Sequence, residues 1–483
     1  MKKYILFFTA LAALSITACR KIETDGEKEI IVINGGGGGS TGQTINLSGR
    51  INTDLSLKKE NTYILKDKVY IVGNHTMNIE AGTVIKGDVN GADVTALIIT
   101  RGSKINATGT AAAPIVFTSS SPNPQSGDWG GLIICGKASI NTITNGTAGL
   151  FVVEGGVDNA QGDGLAGSGD AVNPTANDAD SSGVLSYVRI EYAGYASQPD
   201  KEINSLTLAA VGNKTVIDHV ESLYGKDDAF EWFGGTVNCK YLIAAKTQDD
   251  DFDTDNGYRG NVQFGLVIRD SVIADISTSE AFESDNNSSG TTVTPKTAAV
   301  FSNITAVGPR ATLNNAGNSL FRAGAQIRRN SALSIFNSVI IGWPVGILID
   351  ASTGTPTDNN IADNSLRIKN TTLAGNTVNV KYAASGAAAT GATDASILAW
   401  FTDPASGNTI LTNSTDAKLI QPFNYSAFDA TPFAGSNGYA PIVSGAAFTD
   451  SKLGGGFFAT TTYRGAIAPS GAESSWWKGW TRF

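Results

Sequence analysis

Histidine and methionine are almost missing from this chain, whose 483 residues include His 2 and Met 2. Any Ser-His-Asp arrangement would have to use His75 or His219, and neither lies in a nucleophile context. Cysteine is scarce at Cys 3, which excludes a disulfide framework. Beyond the first residues no apolar run approaches the ~18 needed to cross a bilayer as a helix. Positive charge is in deficit, Lys+Arg 35 against Asp+Glu 44, and the net charge of −9 argues against a general nucleic-acid binder. What the chain does have is Gly 55 together with many Thr, Asn, Ser, Val and Ile, the composition of short strands and tight turns. An all-β protein is expected.

The opening "MKKYILFFTALAALSITAC" places two lysines before an apolar run and small residues before Cys19, the pattern of an exported signal peptide over residues 1–18. Ile16-Thr17-Ala18-Cys19 resembles a bacterial lipobox, which implies acylation of Cys19 and anchorage in outer-membrane lipid. Residues 19–43, charged and then glycine-rich through Gly35–Gly39, read as a flexible tether. The acids soon after Cys19 resemble the surface-export signals of Bacteroidota lipoproteins, which implies the outer face of the cell. Cys135 and Cys239 are separated by several repeats, so stacking ~4.8 Å apart would put them beyond disulfide reach. Free, buried thiols are expected.

Four segments, "LVIRDSVIAD", "AVFSNITAVG", "LSIFNSVIIG" and "LRIKNTTLAG", align on Asp270, Asn303, Asn337 and Asn370 at near-even steps of about 33 residues, a solenoid period. Apolar residues alternate around the Asp or Asn, as in a strand with one face inward. Repeats of strands and turns bury that face only by stacking, and the aligned Asn side chains are expected to hydrogen-bond along the stack. Simple Asn-rich turns are the plainer alternative. His219, in "TVIDHVESLYG", aligns with the same column and is expected to be structural.

"YIVGNHTMNIEAGTVIKG", "ALIITRGSKINATGTAAAPIVFTSS" and "GDWGGLIICGKASI" resemble the opening coils of right-handed parallel β-helices, and the likeness continues through "FEWFGGTVNCKYLIAA" to "YRGAIAPSGAESSWWKGWTRF". Together they resemble a family of Bacteroidota surface lipoproteins with a pectate-lyase-like β-helix. The resemblance implies a right-handed parallel β-helix over 44–385 and an irregular C-terminal cap over 386–483. Gly155 to Gly183 is expected to be an exposed excursion, and "DASILAWF" a short helix capped by Asp394. Trp476, Trp477, Trp480 and Phe483 are expected to cover the open end of the solenoid, the alternative being a ligand-stacking platform.

Three stretches, "KDDAFEWFGG", "QDDDFDTDNG" and "SEAFESDNN", repeat an acid, a Phe and another acid. Asp228, Phe230 and Glu231 recur as Asp250, Phe252 and Asp253, then as Glu280, Phe282 and Glu283. Stacked in register, the carboxylates would approach to ~5 Å, and each like-charge contact would cost about 3 kcal/mol at an effective dielectric near 20. Such a column must take up protons, draw in Lys or Arg, or bind a cation. Lys226, Lys246 and Arg259 offset part of the charge, but Asp227, Asp249, Asp251, Asp255 and Asp285 add to it. Hard oxygen ligands without His or Cys suit Ca²⁺, making Asp228, Glu231, Asp250, Asp253, Glu280 and Glu283 its candidate ligands. A solvated acidic face is the alternative. An EF-hand is excluded, because Gly257 falls one place late and Val262 stands where the bidentate Glu belongs.

Two enzyme templates share the implied fold. Pectin hydrolases carry an Asn-x-Asp, an Asp-Asp, a Gly-His-Gly and an Arg-x-Lys; Asp227-Asp228 and Arg367-Ile368-Lys369 match, but no Gly-His-Gly exists. The lyase template needs Ca²⁺ and a basic proton acceptor, for which Arg259 or Arg269 is the candidate. The expectation is therefore a lipid-anchored, non-catalytic binding or scaffolding component of the outer membrane, with a glycan, a peptide or a TonB-dependent transporter as partner. A calcium-dependent polysaccharide lyase or glycoside hydrolase is the alternative.

Overall fold

A computed structural model describes residues 42–91, 93–196, 202–315, 317–385, 390–435 and 438–483; the signal segment, Cys19 and nearly all of the tether lie outside the described residues. Among the described residues, twenty-seven strands form one continuous sheet wound about an axis as a right-handed parallel β-helix. Its rungs have three faces. The first two are the halves of one bent strand, as in Val216–Leu223, Asn238–Ala245, Asn261–Ile268 and Val300–Val307, each paired in parallel with the next. The third face runs through Leu206–Ala209, Phe230–Phe233, Phe252–Asp255, Phe282–Ser284, Phe321–Ile327 and Val345–Ala351. Alternating side chains point inward from all three, and the stacked Phe, Ile, Leu and Val fill the bore.

The bend between the first two faces is made by one left-handed residue per rung. Tyr187, His219, Tyr241, Phe264, Asn303, Asn337 and Asn370 occupy it, with φ between 51° and 63°. Asn tolerates this conformation, whereas an aromatic pays about 1–2 kcal/mol. Stacking offsets that cost: Tyr187, His219 and Tyr241 lie ring on ring at 4.3 Å, and Phe264 follows at 4.9 Å. The column expected from sequence thus holds for Asn303, Asn337, Asn370 and His219 but not for Asp270. Asp270 lies beyond the strand Asn261–Ile268, in a turn where its carboxylate accepts from Val272 N–H. Long loops before the next strand lengthen this rung, so equal spacing misplaced the register by the distance from Phe264 to Asp270.

The Asn side chains do not bond to one another along the stack; Asn303 and Asn337 instead hold the C-terminal tail. Asn303 Nδ2 donates to the carbonyls of Tyr463 and Gly465, and Asn337 exchanges bonds with the backbone of Ala447. Residues 445–483 run back along the outside of this corner. Gln263 pairs with the backbone of Ala459, Trp476 and Trp480 pack edge-on against the His219 ring, and Arg482 N–H donates to Glu221. The aromatic tail therefore straps the flank and does not cover the open end. Trp477 and Trp480 are buried in that role, which leaves neither as an open stacking platform. The end is closed by the helix Asp394–Phe401, whose Ile397 and Phe401 enter the core. Its cap is Thr393, whose extended backbone lets its hydroxyl accept from Ser396 N–H, while Asp394 instead accepts from Tyr382 N–H.

The excursion over 155–183 is less exposed than its composition suggests. Val157 and Ala166 are fully buried beside Tyr70, Ile98 and Ile133, outward-facing side chains of the third face that would otherwise meet water. Arg50 to Asp163 at 2.7 Å and Arg101 to Asp170 at 2.6 Å pin it down. Cys135 and Cys239 are free and buried, and burial pushes both thiols up to about 12. Among the described residues no helix is long and apolar enough to cross a membrane.

Candidate functional site: an acidic ladder on the third face

Where the covering excursion ends, the outward positions of the third face change character. Ile98 and Ile133 give way to Thr207, then to Glu231, Asp253 and Glu283, and finally to Gln326, each opposite the next across parallel strands. Strand alternation forces this: with Phe230, Phe252 and Phe282 turned inward, their neighbours must face out. The three phenylalanines stack at 5.9 and 5.4 Å between centroids, as the repeated acid-Phe-acid pattern requires.

A second acidic column stands at the strand entries. Asp250 N–H donates to Asp228 Oδ1 at 2.8 Å, and Glu280 N–H donates to Asp250 Oδ1 at 2.6 Å, so each Asp is clamped to the backbone of the following rung. All six candidate ligands are thereby brought together. Asp228, Glu231 and Asp253 form one trio, Asp250, Glu280 and Glu283 another, and Asp227, Asp228 and Asp249 a third; within each, carboxylate oxygens lie within 4.8 Å of one another. Glu280 is 0%, Asp250 4%, Asp228 7% and Glu231 8% exposed, so this is not a solvated face.

Burial raises these acids, and their neighbours raise them further. Asp228, Glu231, Asp250 and Asp253 lie well above the usual carboxylate range. Glu280 is pushed up to about 8 by desolvation and by Glu283, and Asp249 to about 7 mainly by desolvation. Glu283 reaches only about 6 because Arg328 opposes its burial. Three oxygens are buried without a hydrogen-bond partner: Asp227 Oδ2, Asp253 Oδ1 and Glu280 Oε2. Each belongs to a different trio.

The compensating cations are not those expected. Lys246 lies over the Tyr224 ring and donates to its hydroxyl at 3.1 Å, and Arg259 is spent on Asp178 at 2.5 Å. The ladder instead meets an arginine cluster at its C-terminal end. Arg328 pairs with Glu283 and with Asp285 at 2.8 Å, Arg329 with Asp285 at 2.6 Å, and Arg322 stands 3.9 Å from Glu280. The signal was present in "FRAGAQIRRN": Gln326 and Ala323 stand opposite Glu283 and Glu280, and the arginines that flank those positions reach back to the acids. Among the described residues no cation pairs directly with Asp228, Glu231 or Asp253; Arg328 lowers Asp253 only through its charge, and Asn204 Nδ2 donates to Glu231.

Arg269 lies underneath. Both it and Asp251 are 0% exposed, paired at 2.8 Å, and the guanidinium also donates to the carbonyls of Thr247, Asp249 and Glu280. Neither arginine considered as a lyase base is available: Arg269 is locked in the interior and Arg259 bonds Asp178 and Ser139. The Arg367 and Lys369 pair sits several rungs from Asp227 and Asp228, both side chains bound to Asp450 at 2.6 and 2.9 Å. His75 hydrogen-bonds Asp54 at 3.1 Å, far along the solenoid from the ladder.

The pectate-lyase like beta helix domain family matches residues 49–414, nearly the whole wound region. No curated protein matches the chain.

Proposed function

Because the chain belongs to the pectate-lyase-like beta helix domain family, a fold that does not dictate activity, we propose from the ladder itself that it is a non-catalytic binding protein holding divalent cations, with Ca²⁺ the best fit. The observation that carries this is the set of carboxylates within 4.8 Å, two of each trio buried and the third half-buried, each trio keeping one buried oxygen without a partner. An unpaired acid in the interior costs too much to leave there without a proton or a metal. An oxygen-only donor set with no His or Cys selects a hard cation, and Ca²⁺ accepts the irregular geometry that Mg²⁺ does not.

The burial also favours a small ion over a sugar. A glycosidase needs two carboxyls reachable by substrate and roughly 5 to 9.5 Å apart, whereas these oxygens are closer and nearly sealed from solvent. Acylated at Cys19, the protein would sit in the outer membrane facing outward, presenting the cation-stiffened helix to a glycan, a peptide or a TonB-dependent transporter.

Thermal unfolding in chelator and in millimolar Ca²⁺ tests the cation site. A ligand that binds only the folded state at a hundredfold excess over Kd adds about 2.7 kcal/mol, and Asp250→Asn/Asp253→Asn should lose that gain. Coincident melting curves for the unaltered protein would sink the proposal. Membrane fractionation tests the anchor: the protein should be membrane-bound and cut by protease added to whole cells, and Cys19→Ala should release it. A soluble periplasmic protein would refute the anchoring.

A further inference from the structure

The three trios are not equivalent, and their connectivity bears on how many ions the ladder can take. Oxygens within 4.8 Å of one another fit around one Ca²⁺ at the usual 2.3–2.6 Å. The trio of Asp228, Glu231 and Asp253 shares no member with the trio of Asp250, Glu280 and Glu283. No single ion position serves both sets. The third trio borrows Asp228, whose Oδ1 is committed to Asp250 N–H, so it competes for the one oxygen that Asp228 has left.

We propose that the ladder holds two divalent cations, one between the strands Phe230–Phe233 and Phe252–Asp255 and one between Phe252–Asp255 and Phe282–Ser284. This deepens, and rests on, the cation-binding assignment above. Each site has its own unpartnered oxygen, Asp253 Oδ1 in the first and Glu280 Oε2 in the second, the latter fully buried. Each also has its own support: Asn204 orients Glu231 in the first, while Arg328 and Thr278 hold Glu283 and Glu280 in the second. The ions act as staples across successive rung steps. They are coupled because Asp253 projects from the strand Phe252–Asp255 and Asp250 stands two residues before its start, so seating either ion fixes the backbone that supplies a ligand to the other.

The first site is the less compensated of the two, since Arg328 and Arg322 touch acids only of the second and Arg328 reaches Asp253 of the first through its charge alone. It therefore fills first. In the second, Arg328 must yield part of its hold on Glu283 to the incoming ion.

Calcium titration calorimetry, with Tb³⁺ luminescence as an independent count, decides the matter. The unaltered protein should bind two ions, and Glu231→Gln and Glu280→Gln should each bind one. Asp253→Asn and Glu283→Gln repeat the assignment on a second member of each trio, in case one substitution impairs folding. A single ion in the unaltered protein, or loss of all binding in both Glu231→Gln and Glu280→Gln, overturns the two-site inference and leaves cation binding standing. Absence of any binding overturns both.

Discussion

Glu280→Gln should stabilise the metal-free protein, and by an amount that depends on pH. Glu280 is fully buried, lies within 4.8 Å of Asp250 and Glu283 carboxylate oxygens, and keeps Oε2 without a partner. One like-charge contact at that distance costs about 3.5 kcal/mol at a dielectric near 20. The rise of its pKa from 4.5 to about 8 corresponds to about 5 kcal/mol. Protonation of one acid relieves the next, which brings the expected gain to about 3 kcal/mol. The folded state holds a proton that the unfolded chain has released, so stability contributed by this group is full below pH 4.5 and falls as pH rises through about 8. Glutamine does not titrate and escapes that loss. Urea unfolding followed by tryptophan fluorescence in chelator should therefore show the variant ahead at pH 8 and level with the unaltered protein at pH 4.5. A variant no more stable at pH 8, or equally ahead at both pH values, would refute the electrostatic account.

Removing Arg269 should act in the opposite sense, because Asp251 would remain buried without its partner. Arg269→Ala is expected to cost about 3–5 kcal/mol by urea midpoint, and Arg269→Ala/Asp251→Ala to recover part of it. Trp480→Ala removes a buried ring packed on Tyr187 and His219 and should cost about 3–5 kcal/mol of tail docking. Limited proteolysis should then cut residues 445–483 before the rungs; an unchanged cleavage pattern would show that the tail is held elsewhere.

The architecture and the ladder were legible for one reason: a parallel β-helix pairs like with like. Three acid-Phe-acid stretches could coincide only on successive rungs, and Phe230, Phe252 and Phe282 do so. What failed were inferences that assumed rungs of one length or contacts within one repeat. Asp270 was misplaced because turns between strands absorb residues without changing the stack. The neutralising arginines come from the rung beyond the acids, and Lys246 and Arg259, nearer in sequence, point to other partners. The tail was assigned to the open end because exposed rungs need covering, yet its tryptophans found a ready-made aromatic ladder at the Tyr187, His219 and Tyr241 corner.

That returning segment changes how the solenoid behaves as a material. Stacked rungs that touch only their neighbours form a one-dimensional array, able to fray from either end in small steps. Here one stretch of backbone is bonded to Asn337, Gln263, Asn303 and Glu221, so a rung cannot open without loosening a strip that its distant neighbours also grip. The strip couples residues more than two hundred positions apart, as with Glu221 and Arg482, and can seat only after every rung beneath it has formed. It thus adds long-range cooperativity to a short-range stack.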